Sequence, residues 1–414
     1  MSLSRRLLVR GLEGIRNGHL ELRCPGGRVY AFGDPASDLQ ATAEIRDERT
    51  FSRAVFGGDI GLGEAYAEGL WTSPDLVAVV RLAVRNLTVF DAGARPLASV
   101  SRWIERLRHR RRRNSLEGSR DNIRHHYDLG TDFYSLFLDP TLTYSCGFWE
   151  SPTASLEEAQ IAKYDRICRK LELSPGDRLL EIGSGWGSFA IHAATRCSAL
   201  VTTTTISNAQ YEYVRERLER EGLSGKVTLL CEDYRNLAGR YDKAVSIEMF
   251  EAVGLAYYDD YFGAVDRLLG KSGAMLLQTI TMSEERFHRY RRQPDFLRRY
   301  IFPGGELASV LEIRKSLARA TGLVVSAIEE IGPHYVATLG AWRRAFLANR
   351  ERVRALGFPE TFIRMWDYYL GYCQGGFAEG YIGDAQILLA KSGAGAGKRN
   401  PDMEPQVTDL TPRR

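Results

Sequence analysis

The sequence has few of the features that mark zinc-binding, disulfide-stabilised or membrane-spanning proteins. It contains 6 cysteines in 414 residues, and none of them forms a CxxC or CxxH pair. They are Cys24, Cys146, Cys168, Cys197, Cys231 and Cys373. Scattered cysteines argue against a zinc site and a disulfide framework, and are typical of a reducing cytosol. No apolar run approaches the roughly 20 residues that span a bilayer, and the N-terminus lacks a signal-peptide pattern.

The chain also has little net charge, although its basic residues are clustered. The formal net charge is +4, so the overall charge indicates no partner. Two basic runs, Arg102–Arg113 and Arg286–Arg299, are either solvated linker and helix faces or patches for a polyanionic surface. The first run, RWIERLRHRRRR, has no aromatic-interleaved reader motif beside it. An anionic membrane surface is therefore the expected partner, and nucleic acid is not.

A length of 414 residues predicts two domains rather than one. Residues 1–100 are predicted to form a small mixed α/β domain. An apolar stripe from Leu3 to Ile15 has helical spacing, and His19–Arg23 and Arg28–Phe32 have the pattern of short strands. The helix either packs on its own domain or lies on anionic lipid. Residues 101–120 are predicted to be a basic linker, and residues 392–414 a disordered tail.

Helical stretches and short apolar runs alternate from about Ser155 to Leu389. The predicted helices are Leu156–Leu171, Asn208–Glu221 and Tyr258–Leu269, and the predicted strands are Arg178–Ile182, Ala199–Thr205, Val227–Cys231, Ala244–Ile247 and Ala274–Thr279. Such alternation with glycine turns predicts an α/β fold with a mostly parallel, doubly wound sheet. The catalytic domain is predicted to span residues 121–391.

The stretch LLEIGSGWG, Leu179–Gly187, follows the first of these strands and precedes a helix predicted at Phe189–Thr195. Glycines in the loop allow a tight turn and a close approach of the backbone to a ligand. Glu181 makes the pattern ExGxGxG, which differs from the dinucleotide GxGxxG and has no phosphate-binding lysine. A carboxylate at this strand end can bind the ammonium of an amino-acid moiety. The loop resembles motif I of class I S-adenosylmethionine (SAM)-dependent methyltransferases, and a generic nucleotide turn is the alternative.

Other cofactor-binding residues follow from the same comparison. The second strand ends in Thr202–Thr205, without the acid that grips the ribose in many such enzymes. Gln210 is the candidate replacement because an amide can hydrogen-bond hydroxyl groups, and Asp233 has the position expected to contact adenine. The predicted cofactor-binding residues are Tyr144, Ser145, Glu181, Gly183, Ser184, Gly185, Gly187, Thr205, Ser207, Gln210, Asp233 and Tyr234.

From about Asp121 to Leu389 the sequence resembles the cyclopropane fatty-acid synthase family, which includes the mycolic acid cyclopropane synthases. The motifs that carry the resemblance are HHYDLGTDFYSLFLD, YSCGFWE, LLEIGSGWG, TTISNAQ, SIEMFEAVG, LLQTIT, YIFPGGELAS and PHYVATLGAW. The N-terminal unit resembles the smaller domain of the bacterial phospholipid-acting branch. The resemblance implies a Rossmann-like methyltransferase fold with SAM as the methyl donor.

The resemblance also implies the reaction and the residues that catalyse it. The double bond of an unsaturated acyl chain attacks the SAM methyl, a carbocation forms, and proton loss from the added methyl closes a cyclopropane ring. A bound bicarbonate ion assists that deprotonation. The matching positions are Cys146 and Ile280, through their backbones, with Glu251, Gln278 and Tyr335. Cys146 is therefore expected in a pocket wall, since no motif pairs its thiol with a base; a purely structural cysteine is the alternative.

One residue departs from the family pattern. Gln278 stands where the cyclopropane enzymes carry histidine, and an amide cannot take up charge near neutral pH. A different proton loss would give a methylene branch, which a separate reductase could convert into a methyl branch. Glu248 is a nearby carboxylate without an assigned role. The rings of Tyr127, Phe148, Trp149 and Tyr335 either face the cation or belong to an ordinary core.

These observations predict a cytoplasmic enzyme associated peripherally with the inner face of the cell membrane. Its substrates are the unsaturated acyl chains of phospholipids, an insertion near residues 283–307 covers the acyl pocket, and a homodimer is a possible assembly. Two alternatives remain, a small-molecule methyltransferase on the same fold and a non-catalytic lipid-binding module.

Overall fold

The computed structural model describes residues 2–89, 129–293 and 295–391. The basic run Arg102–Arg113, the linker 101–120, Tyr127 and the tail 392–414 lie outside the described residues. The described chain divides into two compact units. The first contains residues 2–89 with Arg289–Ile301 and Leu339–Tyr381, and the second contains residues 129–288, Phe302–Thr338 and 382–391. Two segments of the predicted catalytic domain thus belong to the N-terminal unit.

The first unit is a small four-stranded sheet with helices, in strand order β2-β1-β3-β4. Its elements are α1 (Leu3–Leu12), β1 (His19–Arg23), β2 (Val29–Gly33), β3 (Gln40–Ile45), α2 (Arg49–Ala67), β4 (Trp71–Thr72) and α3 (Leu76–Arg85). The helix α1 begins after Ser2, whose hydroxyl accepts from the Arg5 backbone N–H at 3.2 Å. Arg5 is buried and pairs with Glu48 at 2.7 Å. The helix therefore packs on its own unit through this arginine.

Helices from the later part of the chain complete the first unit. Tyr66 in α2 donates to the Asp367 carboxylate at 2.5 Å, and Arg81 and Arg85 of α3 both donate to Glu379. These long-range contacts could not be read from local periodicity. The remaining helices with residues in this unit are α9 (Glu284–Arg292), α10 (Phe296–Tyr300), α12 (Gly332–Ala348), α13 (Arg350–Ala355) and α14 (Glu360–Ala378).

The second unit is built on a seven-stranded sheet. Its strands are β5 (Arg178–Ile182), β6 (Leu200–Thr204), β7 (Val227–Leu230), β8 (Tyr241–Ile247), β9 (Leu269–Met282), β10 (Leu323–Glu330) and β11 (Ile382–Lys391). Its helices are α4 (Thr131–Tyr134), α5 (Leu156–Lys170), α6 (Ser188–Arg196), α7 (Asn208–Arg220), α8 (Tyr258–Leu268) and α11 (Val310–Ala320), with short 3₁₀ turns at Tyr234–Asn236, Phe250–Ala252 and Leu255–Tyr257. The predicted helices and most of the predicted strands agree with these bounds within a few residues, most closely at β5, whereas β9 extends well beyond the predicted Ala274–Thr279 at both ends.

The strand order β10-β11-β9-β8-β5-β6-β7 determines where a ligand can bind. All neighbouring pairs from β9 to β7 are parallel, and β11 is antiparallel to both its neighbours. The chain runs outward from β5 in one direction and from β8 in the other. Open α/β sheets bind ligands at the carboxyl ends of the strands beside such a switch point. This topology therefore predicts a ligand site at the loops after β5 and β8.

Both faces of this sheet are apolar and covered by helices. Leu179, Leu180 and Val245 on the central strands are fully buried. The helix α5 starts with a capping box, in which Ser155 and Glu158 each accept a backbone N–H of the other. No helix among residues 2–89, 129–293 and 295–391 is long and apolar enough to cross a membrane.

The predicted insertion at residues 283–307 contains α9 and α10. Phe287 and Phe296 are each about 1% exposed, and the Phe296 ring packs on Tyr368 with centroids 4.9 Å apart. Arg298 is also buried and donates to two backbone carbonyls. The aromatic residues of the second basic run thus serve packing within the fold.

Candidate active site

The glycine loop after β5 has the backbone conformation that its sequence predicts. Gly183, Gly185 and Gly187 have φ angles of 99°, 49° and 84°, a region that L-residues rarely adopt. The Gly183 and Ser184 N–H groups donate to the Thr204 carbonyl at 3.0 and 2.9 Å, which ties the loop to the end of β6. A Cβ added at Gly185 would meet nothing within 4 Å. The loop is thus open on one side, as a cofactor cradle requires.

Glu181 lies buried on β5 beneath this loop. Its Oε2 accepts from the Thr203 hydroxyl at 2.5 Å. Burial raises the pKa of Glu181 to about 8, because a desolvated carboxylate is disfavoured without a cationic partner. An ammonium group bound here would favour the ionised form. The loop and its carboxylate therefore fit the amino-acid end of SAM.

Five further predicted cofactor residues follow β6 or β7, namely Thr205, Ser207, Gln210, Asp233 and Tyr234. The Thr205 hydroxyl donates to Gln210 Oε1 at 2.8 Å, and Ser207 caps the helix that contains Gln210. The Gln210 amide therefore presents its donor side, as contact with ribose hydroxyls would require. Asp233 differs from the simple expectation, since Arg235 donates to its two oxygens at 2.7 and 2.8 Å. Tyr234 packs edge-on against Tyr261.

Glu248 follows β8 directly and receives three hydrogen bonds. The Cys146 backbone N–H and Gln278 Nε2 donate to its Oε1 at 2.7 and 2.8 Å. The Tyr335 hydroxyl donates to its Oε2 at 2.6 Å. The family resemblance implies that these three donors bind bicarbonate, and it gives Glu248 no role. Because a side chain of the protein already occupies them, the residues present do not fit a bicarbonate ion at this point.

Glu251 occupies the position beside Glu248. Its Oε1 accepts from the Ile280 backbone N–H at 2.5 Å and from the Thr279 hydroxyl at 2.9 Å. Burial, and then the charge of Glu248, raise the pKa of Glu251 to about 7. Its Oε2 is buried without a hydrogen-bond partner in the described part of the chain. Ile280 thus uses its backbone as predicted, but toward a carboxylate of the protein.

A buried polar chain fixes the orientation of Gln278. Lys170, which can only donate, contacts Gln386 Oε1. Gln386 Nε2 must then point the other way, and it donates to Gln278 Oε1 at 2.9 Å. Gln278 Nε2 is left to face Glu248, and it also lies 3.2 Å from Asp384 Oδ2. Residues 278 and 386 are direct partners in the β9–β11 ladder, so the backbone register sets this geometry.

Cys146 lies in the wall of the site and is fully buried. Burial, followed by the charges of Asp384 and Glu248, raises the pKa of its thiol, which keeps it protonated and poorly nucleophilic. Ser145 accepts from Lys163 at 2.6 Å. Tyr144 lies 5.3 Å from Tyr134, ring centroid to ring centroid. These contacts agree with a wall position rather than a covalent role.

Two of the aromatic candidates belong to the core. The Arg166 guanidinium lies 4.0 Å from the centre of the Phe148 ring, and His334 packs against Phe148 with centroids 4.2 Å apart. Trp149 donates through Nε1 to the Thr338 hydroxyl at 2.9 Å. Phe148 therefore already has a cationic neighbour. Tyr335 differs, because its hydroxyl reaches Glu248.

Comparison with known proteins identifies this arrangement. A family described as mycolic acid cyclopropane synthetase matches residues 114–387. The chain belongs to this family. Tuberculostearic acid methyltransferase UfaA1 of Mycobacterium tuberculosis is 37% identical over 391 residues, which cover 91% of this chain and 89% of the relative. Cyclopropane-fatty-acyl-phospholipid synthase of Escherichia coli is 37% identical over 362 residues, covering 85% and 88%.

Solved structures of the cyclopropane synthetase family confirm the predicted fold. The cyclopropane synthase MmaA2 from Mycobacterium tuberculosis superposes with a TM-score of 0.62 at 32% identity, covering 66% of this chain and 98% of that one. The mycolic acid cyclopropane synthase CmaA1 complexed with SAH (S-adenosylhomocysteine) and CTAB gives 0.62 at 35% identity, with the same coverage. The protein is therefore a SAM-dependent methyltransferase that modifies fatty acyl chains.

Sequence patterns alone did not identify all the residues of this candidate site. Asp384, Gln386 and Lys163 are all fully buried polar residues beside the predicted ones. Burial, followed by the charges of Glu248, Glu251 and Glu330, raises the pKa of Asp384. A signal was present in GDAQILLA, where Asp384 and Gln386 alternate with apolar residues on a buried strand. A polar residue at every second position of a core strand indicates a site.

Proposed function

We propose that the protein transfers the methyl group of SAM to a double bond in the acyl chains of membrane phospholipids and forms cyclopropane fatty acids. The observation that carries this proposal is the position of two carboxylates, Glu248 and Glu251, directly after β8 at the switch point of the sheet. They lie at the same sheet edge as the glycine loop after β5. A donor of an electrophilic methyl group and an acceptor for the resulting proton would thus share one edge.

Different predicted cofactor residues would bind different parts of SAM. Glu181 would bind the ammonium of the methionine moiety, and the backbone of the glycine loop would lie close to that moiety. Gln210 would bind the ribose. Asp233 would approach the adenine, with its carboxylate shared with Arg235. The bound sulfonium supplies an electrophilic methyl group. The half-buried carboxylates Glu248 and Glu251 stabilise the carbocation electrostatically and offer a base for the departing proton.

The coverage of the relatives favours phospholipid as the substrate. UfaA1 and the E. coli phospholipid synthase match 91% and 85% of this chain. Cyclopropane mycolic acid synthase 1 matches only 65% of this chain, although that match covers 96% of the relative. The chain thus shares more of its length with the phospholipid synthase. This difference supports the acyl chain of a phospholipid as the substrate. Peripheral binding at the cytoplasmic surface of the membrane and a homodimer stay predictions from the sequence.

A methylene or methyl branch is the second candidate product, and Gln278 is the observation that favours it. The Gln278 amide cannot carry the charge that histidine can, so the base in this site differs electrostatically from that of the cyclopropane pattern. A hydride shift from the methylated carbon to the neighbouring cationic carbon, followed by proton loss from the new methyl, would leave a methylene branch on the chain. The name of UfaA1, a tuberculostearic acid methyltransferase, agrees with this second product.

The test is incubation of the full chain with SAM and vesicles of phospholipid containing monounsaturated chains, followed by mass spectrometry of the fatty methyl esters. A SAM-dependent mass gain of about one CH₂ is expected, since methyl transfer is followed by proton loss. Mild catalytic hydrogenation then separates the products, because a methylene takes up two hydrogens and a cyclopropane resists. If no vesicle or free fatty acid gains mass while SAM still binds, acyl methylation is excluded and a lipid-binding role remains.

A further inference from the structure

We propose that the Glu248 carboxylate takes the place of the bicarbonate ion, so that the chain supplies its own anion for the reaction. The inference rests on the proposed acyl-chain methylation and specifies the base for it. A carboxylate and bicarbonate share a planar O–C–O group of the same charge. The protein therefore replaces a diffusible anion by a side chain of its own.

The hydrogen bonds at Glu248 carry the argument. Its two oxygens accept from the backbone of Cys146, from the amide of Gln278 and from the hydroxyl of Tyr335, at 2.7, 2.8 and 2.6 Å. The three donors come from segments far apart in the sequence, so local chain geometry does not explain their convergence. The Ile280 N–H, the remaining backbone donor predicted for bicarbonate, is used by Glu251 at 2.5 Å. No predicted donor is left to a second anion.

The backbone at Glu248 is held in an unusual conformation. Its φ angle is 48°, a left-handed value that is unfavourable for a residue other than glycine. The Glu248 N–H donates to the Gln278 carbonyl at 2.8 Å, which holds the turn. Left-handed conformations at non-glycine residues persist where the surroundings enforce them, and they cluster at functional sites. Here the turn directs the carboxylate to the three donors.

The charges around the site disfavour a further anion. Glu251 and Asp384 are neighbours that interact electrostatically with Glu248. Lys163 is buried, and the Glu248 charge favours its protonated form. Adding bicarbonate would place another negative charge among three carboxyl groups. Two anions side by side destabilise each other where water is largely excluded, whereas Glu251 and Asp384 can stay neutral because their pKa values are raised. A carboxylate of the protein avoids that repulsion because Glu248 is then the single anion held by the three donors.

The proposed step is balanced in atoms and electrons. The S–CH₃ bond of SAM breaks as the π electrons of the double bond form the new C–C bond, which leaves a carbocation and S-adenosylhomocysteine. A C–H bond of the added methyl then breaks and its proton moves to an oxygen of Glu248. The electron pair of that bond closes the ring or, if a hydride has first shifted onto the cation, forms the methylene. The protonated Glu248 loses its proton to solvent before the next turnover. No further co-reactant is required.

The experiment compares wild type, Glu248→Gly and Glu172→Gly in CO₂-depleted buffer with and without added bicarbonate. Glu172 is an exposed glutamate with φ 51°, so its replacement by glycine makes the same backbone change outside the site. Wild type and Glu172→Gly should be fully active without bicarbonate. Glu248→Gly should lose about 10²-fold in rate, the usual contribution of a positioned base, and recover at least tenfold when bicarbonate is added.

Binding of ¹³C-labelled bicarbonate, followed by NMR line broadening, gives a second measurement that needs no turnover. Glu248→Gly should bind the labelled ion in the presence of S-adenosylhomocysteine, whereas wild type should not. Stimulation of wild type by bicarbonate, or binding of the ion to wild type, would overturn the inference even if the glycine variant failed to fold. If wild type makes no product at all, the proposed function fails, and the binding measurement still decides the place of Glu248.

Discussion

At the scale of single residues, the site is defined by carboxylates that burial keeps close to neutrality. Glu181 has a pKa of about 8 and Glu251 one of about 7, both raised first by burial. Folding raises these pKa values above 4.5, so the stability that the two residues contribute is fully present below pH 4.5 and is lost as the pH rises through 7 and 8. The two groups therefore destabilise the ligand-free protein at neutral pH, and a cationic ligand would reverse the effect at Glu181.

Binding of S-adenosylhomocysteine near pH 7 should release protons. Free Glu181 is largely protonated at this pH, and the ligand ammonium should lower its pKa and expel the proton. Calorimetry in two buffers of different ionisation enthalpy measures the release. Glu181→Gln should abolish most of it and weaken binding by roughly tenfold or more, since a hydrogen bond to a charged group contributes about 1.5–3 kcal/mol. Glu172→Gln is the control and should release protons like wild type. If Glu181→Gln also releases protons like wild type, the assignment of the ammonium to Glu181 is wrong.

Removing the Glu251 carboxylate should cost far more activity than removing the Cys146 thiol. Glu251→Gln keeps an acceptor for the Ile280 N–H but loses the charge, so the rate should fall by about 10²-fold or more. Cys146→Ala keeps the backbone N–H that contacts Glu248, and the rate should change by less than about threefold. Single-turnover assays on folded variants measure both. Complete loss in Cys146→Ala would restore a role for the thiol.

At the scale of secondary-structure elements, the loop after β5 combines backbone strain with open space. Gly185→Ala introduces no clash within 4 Å, but it places a side chain at φ 49° on the open side of the loop. Gly222, at φ 68° after α7, also has nothing within 4 Å and provides a matched control. Each change should lower the free energy of unfolding by about 1 kcal/mol. Only Gly185→Ala should also weaken SAM binding, by tenfold or more in calorimetry, and equal binding by both variants would refute a cradle here.

The same elements show what sequence reasoning can and cannot predict. The strand β5 was predicted residue for residue, because an apolar run that ends in a glycine turn marks a buried strand clearly. The strand β9 is longer than predicted, since Gly270 and Gly273 near its start have the composition of a turn. Glu181 and the glycine loop could be predicted from the sequence because one short motif contains them. Glu248 was not, because its role depends on residues 146, 278 and 335, which only the folded sheet brings together.

At the scale of the whole molecule, the division into units differs most from the sequence prediction. The N-terminal unit includes α14, whose Asp367 receives bonds from both Tyr66 and Arg343. The Tyr66–Asp367 pair joins residues 301 positions apart, and no local pattern contains it. The match of UfaA1 to 91% of the chain indicates that this family branch keeps both units.

Membrane binding should depend on the basic run of the linker and fall with salt. The four consecutive arginines Arg110–Arg113 lie outside the described residues, and their sequence alone predicts attraction to anionic lipid of about 1 kcal/mol per residue near the surface. Replacing all four by glutamine should weaken co-sedimentation with phosphatidylglycerol vesicles at least tenfold at low salt. For wild type, raising the salt to about 0.5 M should have a similar effect, because exposed charges are then screened within a few ångströms.

The control for this experiment removes four exposed arginines elsewhere in the chain. These are Arg215, Arg220, Arg350 and Arg352, which lie on helices of the described structure. Their replacement by glutamine changes the net charge equally, so it separates a local patch from a general charge effect. The patch is supported if the control binds vesicles like wild type. If both variants lose binding equally, or if wild-type binding ignores salt, contact with the membrane must depend on apolar residues instead, because insertion of apolar side chains is insensitive to screening.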